Sequence, residues 1–280
     1  MTRSSLMDLS ISTYAQTGNS ESKARNPRLG IVVPTLNSSA TLDWTLCALR
    51  GQRDMTAEII VADSGSEDGT LDICKKWGVP TFYVPPGNMY RAVNMGLRQM
   101  DMEWVAYMNS DDLVYPQSYA RMLALAEQQR ADAVYGDVDF VDGEGRFRFL
   151  VKAPPPSRLA GMFRRDHMGF QPAAVIFRRS VFQKLGGFDE RYRLVADYDF
   201  FYRLTISGHK LARVEPPSVA AFRTHASQLS SRESVNMKLE LQSFRKAMKV
   251  RSFPGDLFDV FCWRLQNSPM YFWRLMKQRP

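Results

Sequence analysis

The sequence predicts an α/β fold: a doubly wound, mostly parallel sheet followed by a C-terminal helical extension. Three observations carry this. Short β-branched apolar runs alternate with stretches of helical spacing from Arg28 to Val141. Polar clusters directly follow three of the runs, at Thr35-Leu-Asn37, Asp63-Ser-Gly-Ser66 and Asn109-Ser-Asp-Asp112. Open α/β sheets bind ligands at such strand ends. Positive charge gathers at the end of the chain, where eight cations against two carboxylates give residues 245–280 +6 of the total +8.

The elements follow in order. Residues 1–27 are rich in Ser, Thr and Asn, lack the apolar run of a secretory signal, and are read as a disordered tail. Arg28 to Asn37 opens with a buried strand ending at Pro34. Ser38 to Arg50 has helical spacing, with Leu42, Leu46 and Leu49 on one face and Ser38 or Ser39 as cap. Glu58 to Asp63 is a second strand, Thr70 to Trp77 a helix, and Pro80 to Val84 a short third strand. Gly87 to Met100 reads as helix, Trp104 to Met108 as strand, Tyr115 to Gln129 as helix and Ala133 to Val141 as strand. Beyond Asp142 the regularity weakens. Gly143 and Gly145 suggest a hairpin, and Pro154 to Gly169 reads as a mobile loop. Phe170 to Phe177 is a strand, and Ser180 to Leu185 a helix stopped by Gly186-Gly187. Ala196 to Ser207 and residues 231–249 are helical.

A length of 280 residues with 45% hydrophobic and 24% charged residues suits one large α/β domain with an appendage. No uncharged apolar stretch is long enough to span a bilayer. Cys47, Cys74 and Cys262 are scattered and odd in number, so neither a zinc site nor a disulfide framework is expected, and a cytoplasmic setting fits. The sequence has no Walker loop, Gly-x-Gly-x-x-Gly turn, Gly-x-Ser-x-Gly elbow or His-Glu-x-x-His.

Two clusters can carry chemistry. Asp111 and Asp112 are adjacent carboxylates at a strand end, a costly arrangement unless a positive charge sits there. A divalent cation shared with substrate phosphates is one answer, and hard Mg²⁺ or Mn²⁺ prefers such oxygens. One of the pair would take the metal, the other a ribose hydroxyl or a metal-bound water. A solvated helix N-terminus is the plain alternative. At Asp63-Ser-Gly-Ser-Glu-Asp-Gly69 a strand-end carboxylate can accept from a nucleobase imide, or serve an ordinary strand–turn–helix connection.

In combination, Val33-Pro-Thr-Leu-Asn37, Glu58-Ile-Ile-Val-Ala-Asp63-Ser-Gly-Ser-Glu-Asp-Gly-Thr70 and Asn109-Ser-Asp-Asp112 resemble the family-2 inverting glycosyltransferases. Gln171 to Ser180, Leu185-Gly-Gly-Phe-Asp-Glu190, Ala196-Asp-Tyr-Asp-Phe-Phe-Tyr-Arg-Leu204 and Arg223-Thr-His225 agree with it, over residues 28–230. The resemblance implies a GT-A, Rossmann-like fold. Residues 28–135 would form its nucleotide-sugar half and 136–230 its acceptor and catalytic half, with 231–280 as a basic aromatic extension. It implies a sugar nucleotide donor, a saccharide or lipid-linked acceptor, Mn²⁺ or Mg²⁺, and a place in polysaccharide or glycolipid assembly.

Thr35, Asn37, Asp63, Ser66, Asn94 and Asp111 would then bind the nucleotide. Asp112 and His225 would hold the metal, Arg223 a phosphate, and His167 and Gln171 the acceptor. Asp197 would be the catalytic base, with Asp199 as a helix-facing structural neighbour and the reserve candidate for base. Two departures stand out: Asn109 replaces an acid of the metal motif, and Ala196 precedes Asp197 where the family often has Glu. A nucleotidyltransferase on a related sheet and a non-catalytic binding scaffold are the rivals. The first lacks its Gly-rich basic loop, and the second would have lost carboxylates that are present.

Residues 251–280 interleave aromatic residues with cations. Leu257, Phe258, Phe261 and Leu265 share a helical face, and Pro269 separates two helices. Such a segment fits an anionic membrane surface, or an amphipathic helix packed on the catalytic domain or on a partner subunit, a second copy of the chain included. No nucleic-acid module surrounds the charge.

Overall fold

The structure, a computed structural model, describes residues 28–225 and 228–277. The expected tail at 1–27, and residues 278–280 of the extension, lie outside the described residues. Strand β1 (Leu29–Thr35) is buried throughout, because its apolar run lies inside the sheet. It is followed by α1 (Leu42–Arg50), β2 (Ala57–Asp63), α2 (Thr70–Lys76), β3 (Thr81–Tyr83), α3 (Met89–Gln99) and β4 (Trp104–Tyr107). Next come β5 (Leu113–Val114), α4 (Ser118–Gln129), β6 (Ala133–Tyr135), β7 (Val138–Val141), β8 (Phe147–Val151) and α5 (Pro156–Arg164). A 3₁₀ turn (Pro172–Ala174) leads to β9 (Val175–Arg178), α6 (Arg179–Lys184), α7 (Ala196–Ile206), β10 (Leu211–Arg213) and β11 (Ala220–Arg223). The chain closes with α8 (Leu229–Arg232), α9 (Ser234–Ala247), α10 (Pro254–Gln266) and α11 (Ser268–Lys277).

The main sheet has the order β10-β6-β9-β4-β1-β2-β3. All its pairings are parallel except those of β9, which runs antiparallel to β4 and β6. A second sheet has the order β5-β11-β7-β8. The doubly wound α/β expectation therefore holds. Alternate residues of β1 feed two cores. Val32 faces α3, α7 and a cluster of Phe177, Phe188, Phe200 and Phe201, while Ile31 and Val33 face α1 and α4.

Four expectations are corrected. The strand foreseen from Ala133 to Val141 breaks at Gly136, placing β6 in the main sheet and β7 in the second. Gly136 is needed there, since a Cβ would meet Val214 at 2.7 Å and Val219 at 2.9 Å. Pro154 to Gly169 is no mobile loop, because α5 starts with Pro156 in its first turn and buries Leu159, Met162 and Phe163. Phe170 is not in a strand; its ring stacks on Tyr135 at 4.7 Å, and pairing begins only at Val175. Helix α1 starts at Leu42 rather than Ser38, whose amide bonds Thr70 Oγ1 and whose hydroxyl bonds Ser110, each at 2.8 Å. Ser38 thus ties three strand-end loops together.

The C-terminal helices dock on the second sheet and α5. The Trp263 indole donates to the Lys152 carbonyl, Trp273 packs on Phe149 at 5.0 Å, and Arg164 makes a two-pronged bridge to Asp256. Among the described residues no helix is long and apolar enough to cross a membrane.

Candidate active site

The first part of the site is built at the ends of β1 and β2, which parallel pairing brings side by side with Thr35 opposite Asp63. Asp63 accepts from the Thr35 hydroxyl at 2.8 Å, the Gly65 and Ser66 amides at 2.9 Å each, and the Ser66 hydroxyl at 2.6 Å. Burial pushes its carboxyl up, but these donors outweigh burial and hold it below the ordinary carboxylate range. Asn37, in the left-handed region at φ 52°, receives the Glu67 amide on its side-chain oxygen, and its own amide donates to Ser66 Oγ. Thr35, Asn37, Asp63 and Ser66 are therefore gathered, as the sequence indicates, into one braced loop. Asp63 spends its acceptor capacity on that loop.

The second part follows β4. Asp112 is fully buried and faces inward. One carboxylate oxygen accepts from the Asn109 side-chain amide at 3.0 Å, the other from the Arg223 backbone amide at 3.1 Å. Burial and the charge of Asp111 push its carboxyl well up. Asp111 points the other way, with one oxygen 2.9 Å from His225 Nε2. Their side chains keep 18% and 25% exposure, so both are within reach of a ligand. The geometry thus inverts the order expected for the pair: Asp112 lies in the framework, and Asp111 joins His225.

Arg223 is a further correction. It is 4% exposed, and its guanidinium bonds the backbone oxygens of Asp111 (3.0 Å) and Gly143 (2.6 Å). It clamps the β4 loop to the β7–β8 hairpin through Nε and Nη1, a structural role that the sequence did not give it. Asn94 is equally committed, bonding the Phe188 carbonyl and amide at 2.8 and 2.9 Å and Glu190 at 3.0 Å. At 1% exposure it bolts α3 to the segment before α7, at the wall of a cavity of about 450 Å³.

Asp197 enters at the first turn of α7, which orients its carboxyl onto the Tyr198 amide at 2.7 Å. The carboxyl is densely surrounded yet keeps some access to solvent. Burial pushes it up to about 6, while the Tyr90 hydroxyl and nearby backbone amides pull the other way. The buried Tyr107 phenol, one residue past which β4 gives way to the Asn109 loop, is disfavoured from ionising by burial and by the charges of both Asp197 and Asp112. The charges of both carboxylates therefore reach one residue at the end of β4. Asp199 is buried and held by Arg203 at 3.0 and 2.6 Å, which leaves it less open to a substrate than Asp197.

Of the two acceptor candidates, His167 is drawn into the interface with α10. Its ring meets Trp263 edge-on at 5.8 Å, and Nδ1 lies 2.6 Å from the Arg165 carbonyl oxygen. Gln171 opens the 3₁₀ turn, which packs against β4 and β11 at the sheet edge. Tyr90 is the residue that sequence reading passed over, although it lies only four residues before Asn94. Its signal was a tyrosine on the buried face of a helix, whose hydroxyl needs a partner.

The donor set can be tested against a divalent cation. Asp111 oxygen and His225 nitrogen form a mixed pair suited to Mn²⁺. The buried Asn109 side-chain oxygen beside them has no hydrogen-bond partner among the described residues. No group of three or more His, Cys, Asp or Glu gathers there among the described residues, so further ligands would have to be water or substrate oxygens.

Comparison with known proteins agrees with this geometry. The chain is 29% identical over 189 residues to a PGL/p-HBAD biosynthesis glycosyltransferase of Mycobacterium bovis, covering 63% of this chain and 69% of that one. It superposes on Staphylococcus aureus TarS with TM-score 0.59 at 17% identity, covering 78% of this chain but only 43% of that one. It also superposes on the mannosyltransferase PcManGT of Pyrobaculum calidifontis, solved with GDP-Man and Mn²⁺, with TM-score 0.57 at 20% identity over 92% of this chain and 76% of that one. These neighbours show a GT-A fold. Residues 30–186 match the family described as Glycosyl transferase family 2. That match takes in both the Asp63 loop and the Asp111 segment, and the chain belongs to glycosyltransferase family 2.

Proposed function

We propose that this glycosyltransferase transfers a sugar, with inversion, from a nucleoside-diphosphate donor to a hydroxyl of a saccharide or lipid-linked acceptor, with Asp197 as general base. The carrying observation is the Asp197 carboxyl in the first turn of α7, which burial pushes up to about 6 and whose charge, like that of Asp112, reaches buried Tyr107. A base titrating there is ionised at neutral pH and still basic enough to take a hydroxyl proton. The solved neighbours with UDP, UDP-GlcNAc, and GDP-Man with Mn²⁺ support the donor class.

The braced loop of Thr35, Asn37, Asp63 and Ser66 offers a rigid seat for the nucleoside. Because Asp63 is already fully bonded, recognition of a base falls to the loop's exposed edge, or requires the Ser66 hydroxyl to swing from Asp63 to the ligand. Asp111 and His225 would hold the divalent cation. When bound, the cation supplies charge neutralisation for the diphosphate as it departs. Asp197 accepts the proton of the attacking hydroxyl, and Tyr90 fixes its orientation. Gln171 lies at the same sheet edge as an acceptor contact. A single displacement needs one base and no enzyme nucleophile, hence inversion. Assembly of a polysaccharide or glycolipid is the setting that suits such a transfer, and the mycobacterial relative's name supports a biosynthetic role.

The test is a screen of UDP-, GDP- and dTDP-sugars with Mn²⁺, read by nucleotide release and donor binding. Asp197→Asn should bind donor as the parent does, while kcat for transfer falls by about 10²- to 10⁴-fold. Transfer at the parental rate in that variant would remove Asp197 as the base.

A further inference from the structure

Helix α10 buries one stripe, Asp256, Val260, Trp263 and Asn267, the last just past its end, against α5 and the second sheet. The roughly opposite stripe is apolar and bare: Leu257, Phe258, Phe261 and Leu265 are 58–66% exposed, and Phe253 before the helix is 56% exposed. Scattered apolar residues on a surface need no explanation, but a contiguous row of this size does.

The outward charge of α10 and of the segment leading into it is of one sign. Both carboxylates of α10 are turned toward the protein: Asp256 is 2% exposed and bridged by Arg164, and Asp259 faces Arg158 at 3.9 Å. Of the outward-facing cations, Arg264 is on this helix and Lys246, Lys249 and Arg251 precede it in the chain; the helix itself carries no exposed carboxylate, and the Arg158 guanidinium lies 5.9 Å from the Phe258 ring. A second copy related by a two-fold axis would set these cations against their own kind. An anionic lipid surface instead matches both the aromatic row and its basic border.

We propose that α10 lies flat on an anionic membrane, with Phe253, Leu257, Phe258, Phe261 and Leu265 at headgroup depth and the flanking cations on lipid phosphates. Helix α10 packs on α5, and the Phe163 carbonyl of α5 accepts the hydroxyl of Tyr198, the neighbour of Asp197. The docking face therefore sits two helices from the proposed base, a placement that suits a lipid-linked acceptor if the transfer reading holds. The docking itself rests on the surface alone.

The experiment is co-sedimentation of the full chain with vesicles of phosphatidylcholine, with and without about 30% phosphatidylglycerol, at low and high salt. The parent should pellet with the anionic vesicles and be released in part by salt. Phe258→Ser with Phe261→Ser should weaken partition by about tenfold or more, and Leu265→Ser alone by less, with melting temperatures unchanged because these side chains are exposed. Arg251→Glu with Arg264→Glu should abolish the preference for anionic lipid. Three results would overturn the proposal: no pelleting of the parent, equal pelleting of parent and Phe258/Phe261 variant, or a parental dimer that this variant splits while vesicles go unbound. The last would assign the face to a second copy. No outcome depends on transfer activity.

Discussion

Asp197 and Tyr90 set each other's behaviour through two opposed effects. Burial favours the neutral acid, and the tyrosine hydroxyl, by donating, favours the carboxylate. Tyr90→Phe removes only the donor, so the carboxyl should titrate higher. The rate of transfer, which needs the ionised base, rises as pH passes upward through that value. The acid limb of the kcat profile should therefore move up from about 6 by about one unit in Tyr90→Phe. Transfer near pH 6 should drop about fivefold, with little change at pH 8. A limb that stays in place would show that Tyr90 does not hold the base. At this scale residue chemistry was legible in the sequence, but orientation was not. Two adjacent aspartates after a strand announce a charged site; which of them faces out depends on the Asn109 amide and the Arg223 backbone, and the latter lies 111 residues away from Asp112.

Among the elements, α5 and α10 illustrate how one small residue sets a helix contact. A Cβ at Gly161 would stand 2.1 Å from Asp259 Oδ2 and 3.2 Å from Asp256 Oδ1. Gly161→Ala should thus push α10 outward, strain the Arg164–Asp256 bridge, and cost about 1–3 kcal/mol. A thermal melt checks this, and parental stability would mean that α10 can shift freely. Strong alternation of apolar runs and helical spacing made α1 to α4 and β1 to β4 readable, with ends displaced by a few residues. The segment from Pro154 to Phe170 misled because its prolines suggest a loop. Pro156 in fact opens α5, where its missing N–H costs nothing.

Over the whole molecule, residues 28–135 and 136–230 are not separate bodies, since β9 and β10 of the second stretch complete the sheet built from β1 to β4 and β6 of the first. Asn94 is a principal tie between them, joining α3 to Phe188 and Glu190. Asn94→Ala leaves buried backbone groups unpaired and should cost about 1–3 kcal/mol in a denaturant titration, while donor affinity measured on the folded fraction stays the same. Weaker donor binding without loss of stability would return Asn94 to the nucleotide site.

The sequence by itself determined the order of strands and helices, the chemical content of the strand-end loops and the family, because period and strand-end polarity are local properties. The tertiary structure decided which polar residues are free to act. Arg223, Asn94 and Asp112 carry the right chemistry for a ligand but are engaged by groups of the protein itself, mostly distant in sequence, while Tyr90 is placed to act on Asp197. A buried hydrogen-bonding group must find a partner, and the chain's path alone fixes whether that partner is the protein or a substrate.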